Sequence, residues 1–382
     1  MVVSPKGLDT GIYARLFPVG TRRWLVHGPT MRSKRNTASV AVPPPPVDPA
    51  RVGELRLSPA GRALLDIVRV LAALYVMASH AFGGPMAHFA QEAVITFFLL
   101  SGFVIFYNEA GGRSGYWGRR AKRIYPTLLG AMLIALIIAW IDGRLRDASL
   151  GSFVGTLLGL QDEASLKPGV LMAPFLGNSP LWSLSYELWF YAAFPLALRL
   201  FNAAPVRTNH AIGIACTLLY ASFIVSPNHF SLVGSYFLLW WAGAVAADSY
   251  RKGRPFPRTV LAWMLVWCGV ALIPVVMASG KFGAYPILPL RHMAVGLAMI
   301  MLAHSPLRHW LARLAQPTAR LAYAAASISF GIYVVHWPLL IQSHLVERIG
   351  MPMSLLVVLA AAWAIDALPA SLWRSVAAPR VS

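Results

Sequence analysis

Ten apolar stretches, each about as long as a bilayer is thick, follow one another along this chain and restrict it to folds that live in lipid. They fall near residues 63–83, 91–107, 125–141, 182–201, 211–227, 231–248, 259–278, 287–304, 321–344 and 352–370. A helix needs roughly 17 to 25 predominantly apolar residues to cross the hydrocarbon, so each stretch reads as one spanning helix. Residues 150–160 are apolar but shorter, and read as an interfacial or re-entrant piece. With 57% hydrophobic and only 12% charged residues among 382, the chain cannot cover itself with an ordinary water-facing surface. The expected fold is an all-α integral membrane protein of about ten transmembrane helices, with the lipid bilayer as its first partner.

Charge gives the direction, because cytoplasmic loops retain Lys and Arg. With the N-terminus inside, sixteen of these residues fall in cytoplasmic segments after the N-terminal tail and six in the outer loops. The asymmetry predicts both termini and residues 108–124 in the cytoplasm, with residues 142–180 outside. The formal charge of +19 is spread between apolar segments rather than gathered on a soluble face, which argues against a nucleic-acid partner. Residues 1–61 differ in kind, with scattered arginines, the run Pro43-Pro44-Pro45-Pro46 and no apolar core long enough for a signal peptide. They are expected to form a flexible basic tail before a transmembrane domain over 62–375 and a short tail over 376–382. Cys216 and Cys268 lie inside apolar runs as small hydrophobes, and no metal site is expected.

Polar side chains inside the apolar windows carry the functional signal. A charged residue at the centre of a spanning helix costs about 2.5 to 3.5 kcal/mol on an insertion scale, so it faces a cavity or a partner. The first window holds Asp66, Arg69 and His80. At 100° per residue, Arg69 and His80 lie about 20° apart around the helix and about 16 Å apart along it, with Asp66 within about 60° of Arg69. A plainer arrangement pairs Asp66 with Arg69 near the inner interface and leaves His80 to bond a neighbouring helix. The fourth window opens with Trp182-Ser183-Leu184-Ser185-Tyr186-Glu187, and a buried Glu187 needs a histidine or arginine opposite it. In the ninth, Ser329, Tyr333 and His336 share one stripe ahead of Pro338, either lining a chamber or bonding between helices. His80, Glu187 and His336 all fall in the outer half of the membrane, which predicts a polar chamber there. On the cytoplasmic side Arg119, Arg120, Lys122 and Arg123 lead into the third helix. They serve as a topology anchor or as a phosphate site, since guanidinium groups match phosphate oxygens in paired hydrogen bonds.

In this order the segments resemble the membrane-bound acyltransferase 3 family, which contains bacterial O-acetyltransferases of surface polysaccharides and lipids. The resemblance rests on Leu65-Asp66 through Arg69 and, after ten intervening residues, His80. It continues through the run from Phe97 past Ser101 to Phe103, and Arg119-Arg120 through Arg123 to Pro126. Trp182-Ser183-Leu184 through Glu187, and Ser329 through Tyr333 to His336-Trp337-Pro338, complete it, so that it covers residue 62 to about 370. It implies a multi-pass enzyme of the cell (inner) membrane that moves an acyl group, acetyl by default, from cytoplasmic acyl-CoA. The implied acceptor is a hydroxyl of an extracytoplasmic carbohydrate or lipid-linked glycan. The resemblance also implies that His80 and Arg69 share the catalytic motif, that Arg119, Arg120 and Arg123 bind acyl-CoA, and that Asp66, Ser101, Trp182, Ser183 and Tyr333 support the site. One departure stands out, because family members often carry Glu-x-Pro in the last helix where this chain has Asp366-Ala-Leu-Pro369.

The chemistry of the residues suits that activity. Acyl transfer from a thioester to a hydroxyl calls for a base near neutral pH, and a histidine both takes the hydroxyl proton and returns one to the leaving thiolate. His80 is expected in that role, with Glu187 or His336 orienting its ring and Arg69 meeting CoA or developing negative charge. Direct attack and a covalent acyl-histidine are both compatible with these residues. Buried ionisable groups would also suit a proton-coupled secondary transporter of a polar or glycan substrate. No clear repeat relates the two halves, however, and a cytoplasmic arginine cluster beneath a single outward chamber fits CoA entry better.

Overall fold

The computed structural model describes residues 55–112, 114–278, 280 and 282–377. Most of the expected basic tail, including Pro43 to Pro46, lies outside the described residues, as do Arg113, Lys281 and the end of the chain beyond 377. The last stretch before the first helix is held down, since Leu55 N donates to the Arg251 carbonyl at 2.7 Å and Leu57 N to the Tyr107 hydroxyl at 2.9 Å. Ser58 Oγ then accepts from Gly61 N at 3.0 Å, and Pro59, whose missing N–H costs a first turn nothing, starts α1 (Pro59–Phe82).

Helices follow almost without relief, because a chain in hydrocarbon must satisfy its own backbone donors and acceptors. They are α2 (Ala90–Glu109), α3 (Tyr116–Ile141), α4 (Leu150–Leu157), α5 (Trp182–Ala203), α6 (Pro205–Val225), α7 (His229–Arg251), α8 (Arg258–Met277) and α9 (Ile287–His304). The chain ends in α10 (Leu307–Ala315), α11 (Ala319–Ala326), α12 (Ser329–His336), a π-helical stretch Trp337–Gln342 and α13 (Leu345–Ala377). Among the described residues the only strand-like pairing is an isolated bridge between Gln161 and Met172. Among the described residues eight helices are long and apolar enough to cross a membrane, or nine if the bent pair 307–326 and 329–342 makes one span. The window expected at 182–201 forms the 22-residue α5, which is not among them because Ser183, Ser185, Glu187 and Arg199 lower its hydropathy. The window expected at 321–344 is not one rod but the broken series α11, α12 and π stretch, bent by 49°.

The interior is organised around α7. Its apolar window is 83% buried, against 28% for α1 and α8, whose outward leucines and valines are left for lipid. α2 makes the most extensive contact with it. Two glycines permit that approach, since a Cβ at Gly102 would strike the Trp240 carbonyl and one at Gly243 the Leu99 carbonyl. α5 packs on α6 and α7 and lines up Tyr186, Phe190 and Phe194, all fully buried, against Phe98 and Trp240.

The segment between α4 and α5 folds back over the N-terminus of α5. Lys167 Nζ lies 2.6 Å from Asp162 Oδ1, with both side chains 1% exposed, and 3.8 Å from the centre of the Trp182 ring. Tyr186 donates to the other Asp162 oxygen at 2.7 Å, so the carboxylate is served on both sides. Burial pulls the Lys167 ammonium below the usual lysine range, and the adjacent Asp162 carboxylate opposes that shift.

Candidate active site

His80 sits in the last turn of α1, where its Nδ1 lies 3.0 Å from Nε2 of His336 at the end of α12. The two ring planes are inclined by only 10°, with centroids 5.3 Å apart, as an in-plane bond between ring nitrogens requires. Trp337 stands perpendicular to His80 at 4.9 Å. The other His336 nitrogen, Nδ1, is 3.1 Å from the Ile332 carbonyl. A carbonyl only accepts, so Nδ1 of His336 carries a hydrogen, and in a neutral ring its Nε2 is then an acceptor. His80 Nδ1 must therefore donate to it. The remaining lone pair of a neutral His80 is left on Nε2, to which no described residue bonds.

Arg69 lies about three turns before His80 on α1 and within electrostatic reach of Asp66, Glu187, Tyr191 and the like-charged Arg123. Its guanidinium makes no hydrogen bond to a described residue, and the residue as a whole is half-buried. Glu187, expected opposite a histidine or arginine, has Arg69 as that electrostatic neighbour, while its hydrogen bond comes from Tyr191 at 2.6 Å. Ser101 is 2.9 Å from the Tyr191 hydroxyl and accepts from Trp240 Nε1 at 3.2 Å. The hydroxyl hydrogens thus run in one direction, from Trp240 through Ser101 and Tyr191 to the Glu187 carboxylate, and each bond polarises the next. His80 takes its ring partner from His336 rather than from Glu187.

Tyr333 also joins two elements, donating to the Pro180 carbonyl at 2.7 Å while lying 2.9 Å from Ser183 Oγ. Its ring centre is 5.6 Å from that of Phe97. Ser329 is fully buried but bonds only backward to the Ala326 carbonyl.

The arginines expected ahead of the third helix lie within the first turns of α3, and they already have carboxylate partners. Arg119 grips the 4% exposed Glu109 with both Nε, at 3.1 Å, and Nη2, and Arg120 approaches the same carboxylate at 3.6 Å. Beside this pair a cleft of about 400 Å³ is lined by Glu109, Tyr116, Phe194, Leu198, Arg199 and Asn202. Arg123 reaches instead to Asp366 Oδ1 at 2.8 Å. Asp366, the residue that departs from the family pattern, also accepts from Thr127 at 3.2 Å and, through Oδ2, from Gly331 N at 3.1 Å. Gly331 is the third residue of α12, whose own N-cap, Ile328, has no side-chain acceptor. Asp366 therefore supplies from α13 the cap that α12 lacks.

Tyr191, Glu109 and Asp366 were not among the residues the sequence singled out as a site. Tyr191 follows Glu187 by one helical turn, a spacing that could have drawn attention to it. The Glu109 and Asp366 pairings link residues 10 and 243 positions away in the chain, and the second of these has no local signal. No group of three or more His, Cys, Asp or Glu stands together as a metal-ligand set among the described residues.

A family model described as an acyltransferase domain matches residues 62–367. The chain is similar to the acyltransferase MdmB of Streptomyces mycarofaciens, with 38% identity over 141 residues that make up 35% of this chain and 35% of that protein. That match spans about a third of the length of MdmB. It is also similar to nodulation protein 10 of Rhizobium leguminosarum bv. viciae, with 24% identity over 369 residues, 83% of this chain and 95% of that protein. No solved structure matches.

Proposed function

The chain belongs to the acyltransferase 3 family and is a multi-pass membrane acyltransferase, and from that premise we propose that it moves an acyl group, acetyl by default, from cytoplasmic acyl-CoA to a hydroxyl of an extracytoplasmic carbohydrate or lipid-linked glycan. The observation that carries the reading is the His80–His336 contact, which leaves one unbonded imidazole nitrogen on the same helix as an arginine that bonds no described residue.

In this reading His80 Nε2 takes the proton of the acceptor hydroxyl as its oxygen attacks the thioester carbonyl. The tetrahedral adduct then collapses, the carbon–sulfur bond breaks, and the same proton passes from Nε2 to the departing CoA sulfur. His336 accepts from Nδ1 throughout, which keeps the basic lone pair on the side facing substrate and lets the imidazolium form without turning. Arg69 offers its donors to the pantetheine amides or to charge growing on the carbonyl oxygen. Arg119, Arg120 and Arg123, gathered in the first turns of α3, take the CoA phosphates at the cytoplasmic face.

Single-turnover transfer at saturating acyl-CoA tests the role of His80. Loss of a general base costs about 10²- to 10⁴-fold in rate, so His80→Ala is expected to lose that much while still binding acyl-CoA. His80→Gln is expected to fare no better, since an amide keeps a hydrogen bond but takes up no proton. Near wild-type turnover in a folded His80→Ala protein would overturn the assignment.

A further inference from the structure

The helix that carries His336 stops being an α-helix one residue later, and the reason is chemical. In an α-helix the N–H of residue 338 would bond the carbonyl of residue 334, but Pro338 has no N–H. The Val334 carbonyl therefore lacks its α-helical donor at a place that is 0% exposed, where no water can serve it cheaply. Asn178 fills the gap. Its Nδ2 donates to the Val334 carbonyl at 2.9 Å from a side chain that is itself 0% exposed.

Asn178 is well braced to do so. It joins two short 3-10 turns, Phe175–Gly177 and Ser179–Leu181, and its backbone bonds Phe175 on one side and Leu181 on the other. The same loop is clamped to the same broken segment at two further points. Tyr333 donates to the Pro180 carbonyl at 2.7 Å, and Gln342 Nε2 to the Leu176 carbonyl at 2.8 Å. Val334 precedes His336 by two residues, so whatever fixes the Val334 peptide fixes where the His336 ring stands. At the other end of α12 the Asp366 carboxylate holds Gly331 N, which leaves the helix little room to rotate.

We propose that Asn178 is a positioning residue for acyl transfer, holding the His336 imidazole where it fixes the tautomer of His80; this rests on the general-base reading above. The contact acts through geometry, so its loss should alter the rate of the chemical step more than donor affinity. An imidazole that no longer meets His336 squarely has no reason to keep its hydrogen on Nδ1, and both tautomers should then be populated.

The test uses Asn178→Leu, which keeps about the same shape but has no hydrogen to donate, beside Asn178→Ala, in the full-length protein. Two readouts are taken: kcat and KM for acyl-CoA, and the His80 tautomer from ¹⁵N chemical shifts of histidine-labelled protein, assigned with His80→Gln. Misplacing a reacting group by about 1 Å costs up to about 10²-fold, so both variants are expected to lose about 10- to 100-fold in kcat. Their KM for acyl-CoA should stay within about twofold of wild type, and His80 should show mixed tautomers. Wild-type kcat with a single Nδ1-protonated tautomer in Asn178→Leu would overturn the proposal. If neither variant yields folded protein, Asn178→Leu combined with Pro338→Ala decides, because the second change returns an N–H to position 338. Recovery of folded, active protein supports the assignment, and failure to recover counts against it. His80→Ala in the same assay separates the two ideas. Full activity there sinks the general-base reading, whereas the tautomer measurement judges Asn178 without turnover.

Discussion

A carboxylate that is 4% exposed needs a cation beside it, and Glu109 has two. Arg119 in particular holds it through two N–H groups, so replacing Arg119 removes both a candidate phosphate ligand and the partner of a buried charge. Arg119→Gln should therefore lose about 1–3 kcal/mol of stability, which falls as a lower Tm in detergent, whatever happens to the donor. Arg119→Gln combined with Glu109→Gln removes the stranded charge and should recover most of that loss. The double variant then gives a clean reading of donor binding: a raised apparent KM for acyl-CoA, with acceptor dependence little altered, marks a phosphate contact. An unchanged KM there, and in Arg120→Gln and Arg123→Gln, would leave the cluster as a topology anchor alone. At this scale the sequence made Arg69, His80, Glu187 and His336 conspicuous, because polar groups in apolar windows demand an explanation. Asn178 and Asp366 were harder to see. Asn178 lies outside every window, and its task exists only because a proline 160 positions later lacks a hydrogen.

The elements tell a similar story. Nine of the ten windows correspond to helices, or parts of helices, in a continuous stretch, since hydrophobic length is a property of the sequence itself. The window at 321–344 is the exception, broken at Ser327-Ile328 where neither proline nor glycine stands. The break is tolerated because Gly331 N, which loses its own helical acceptor there, finds Asp366 on α13, 35 residues further along. Periodicity cannot register a bond of that kind. If Asp366 is the cap of α12, Asp366→Ala should cost about 1–3 kcal/mol by stranding Gly331 N and releasing Arg123 and Thr127. Asp366→Asn should cost less, because an amide oxygen still accepts from Gly331 N. Thermal denaturation in detergent ranks the three proteins, and an Asp366→Ala protein as stable as wild type would rule the cap out.

At the scale of the whole molecule, the helices must be threaded in one direction, and charge is what selects it. The close approach of α2 to α7 through Gly102 and Gly243 was hidden in the sequence, because a glycine in an apolar run does not name the backbone it meets. For the direction the sequence offers an expectation, sixteen Lys and Arg on one side against six on the other when the ten windows alternate across the bilayer. α3 makes it testable. Its 26 residues extend about 39 Å at 1.5 Å per residue, enough to cross a bilayer, so the segments at its two ends emerge on opposite faces. Ser114 is exposed just before α3, and Ala164 is exposed in the segment between α4 and α5. In a background with Cys216 and Cys268 replaced by Ala, a cysteine placed at each position can be labelled in intact cells with a membrane-impermeant maleimide. With the arginine cluster inside, Ala164→Cys should react from outside, and Ser114→Cys only after the membrane is permeabilised. The reverse pattern would invert the orientation, put Arg119, Arg120 and Arg123 on the outer face, and remove the route by which cytoplasmic acyl-CoA is proposed to reach His80.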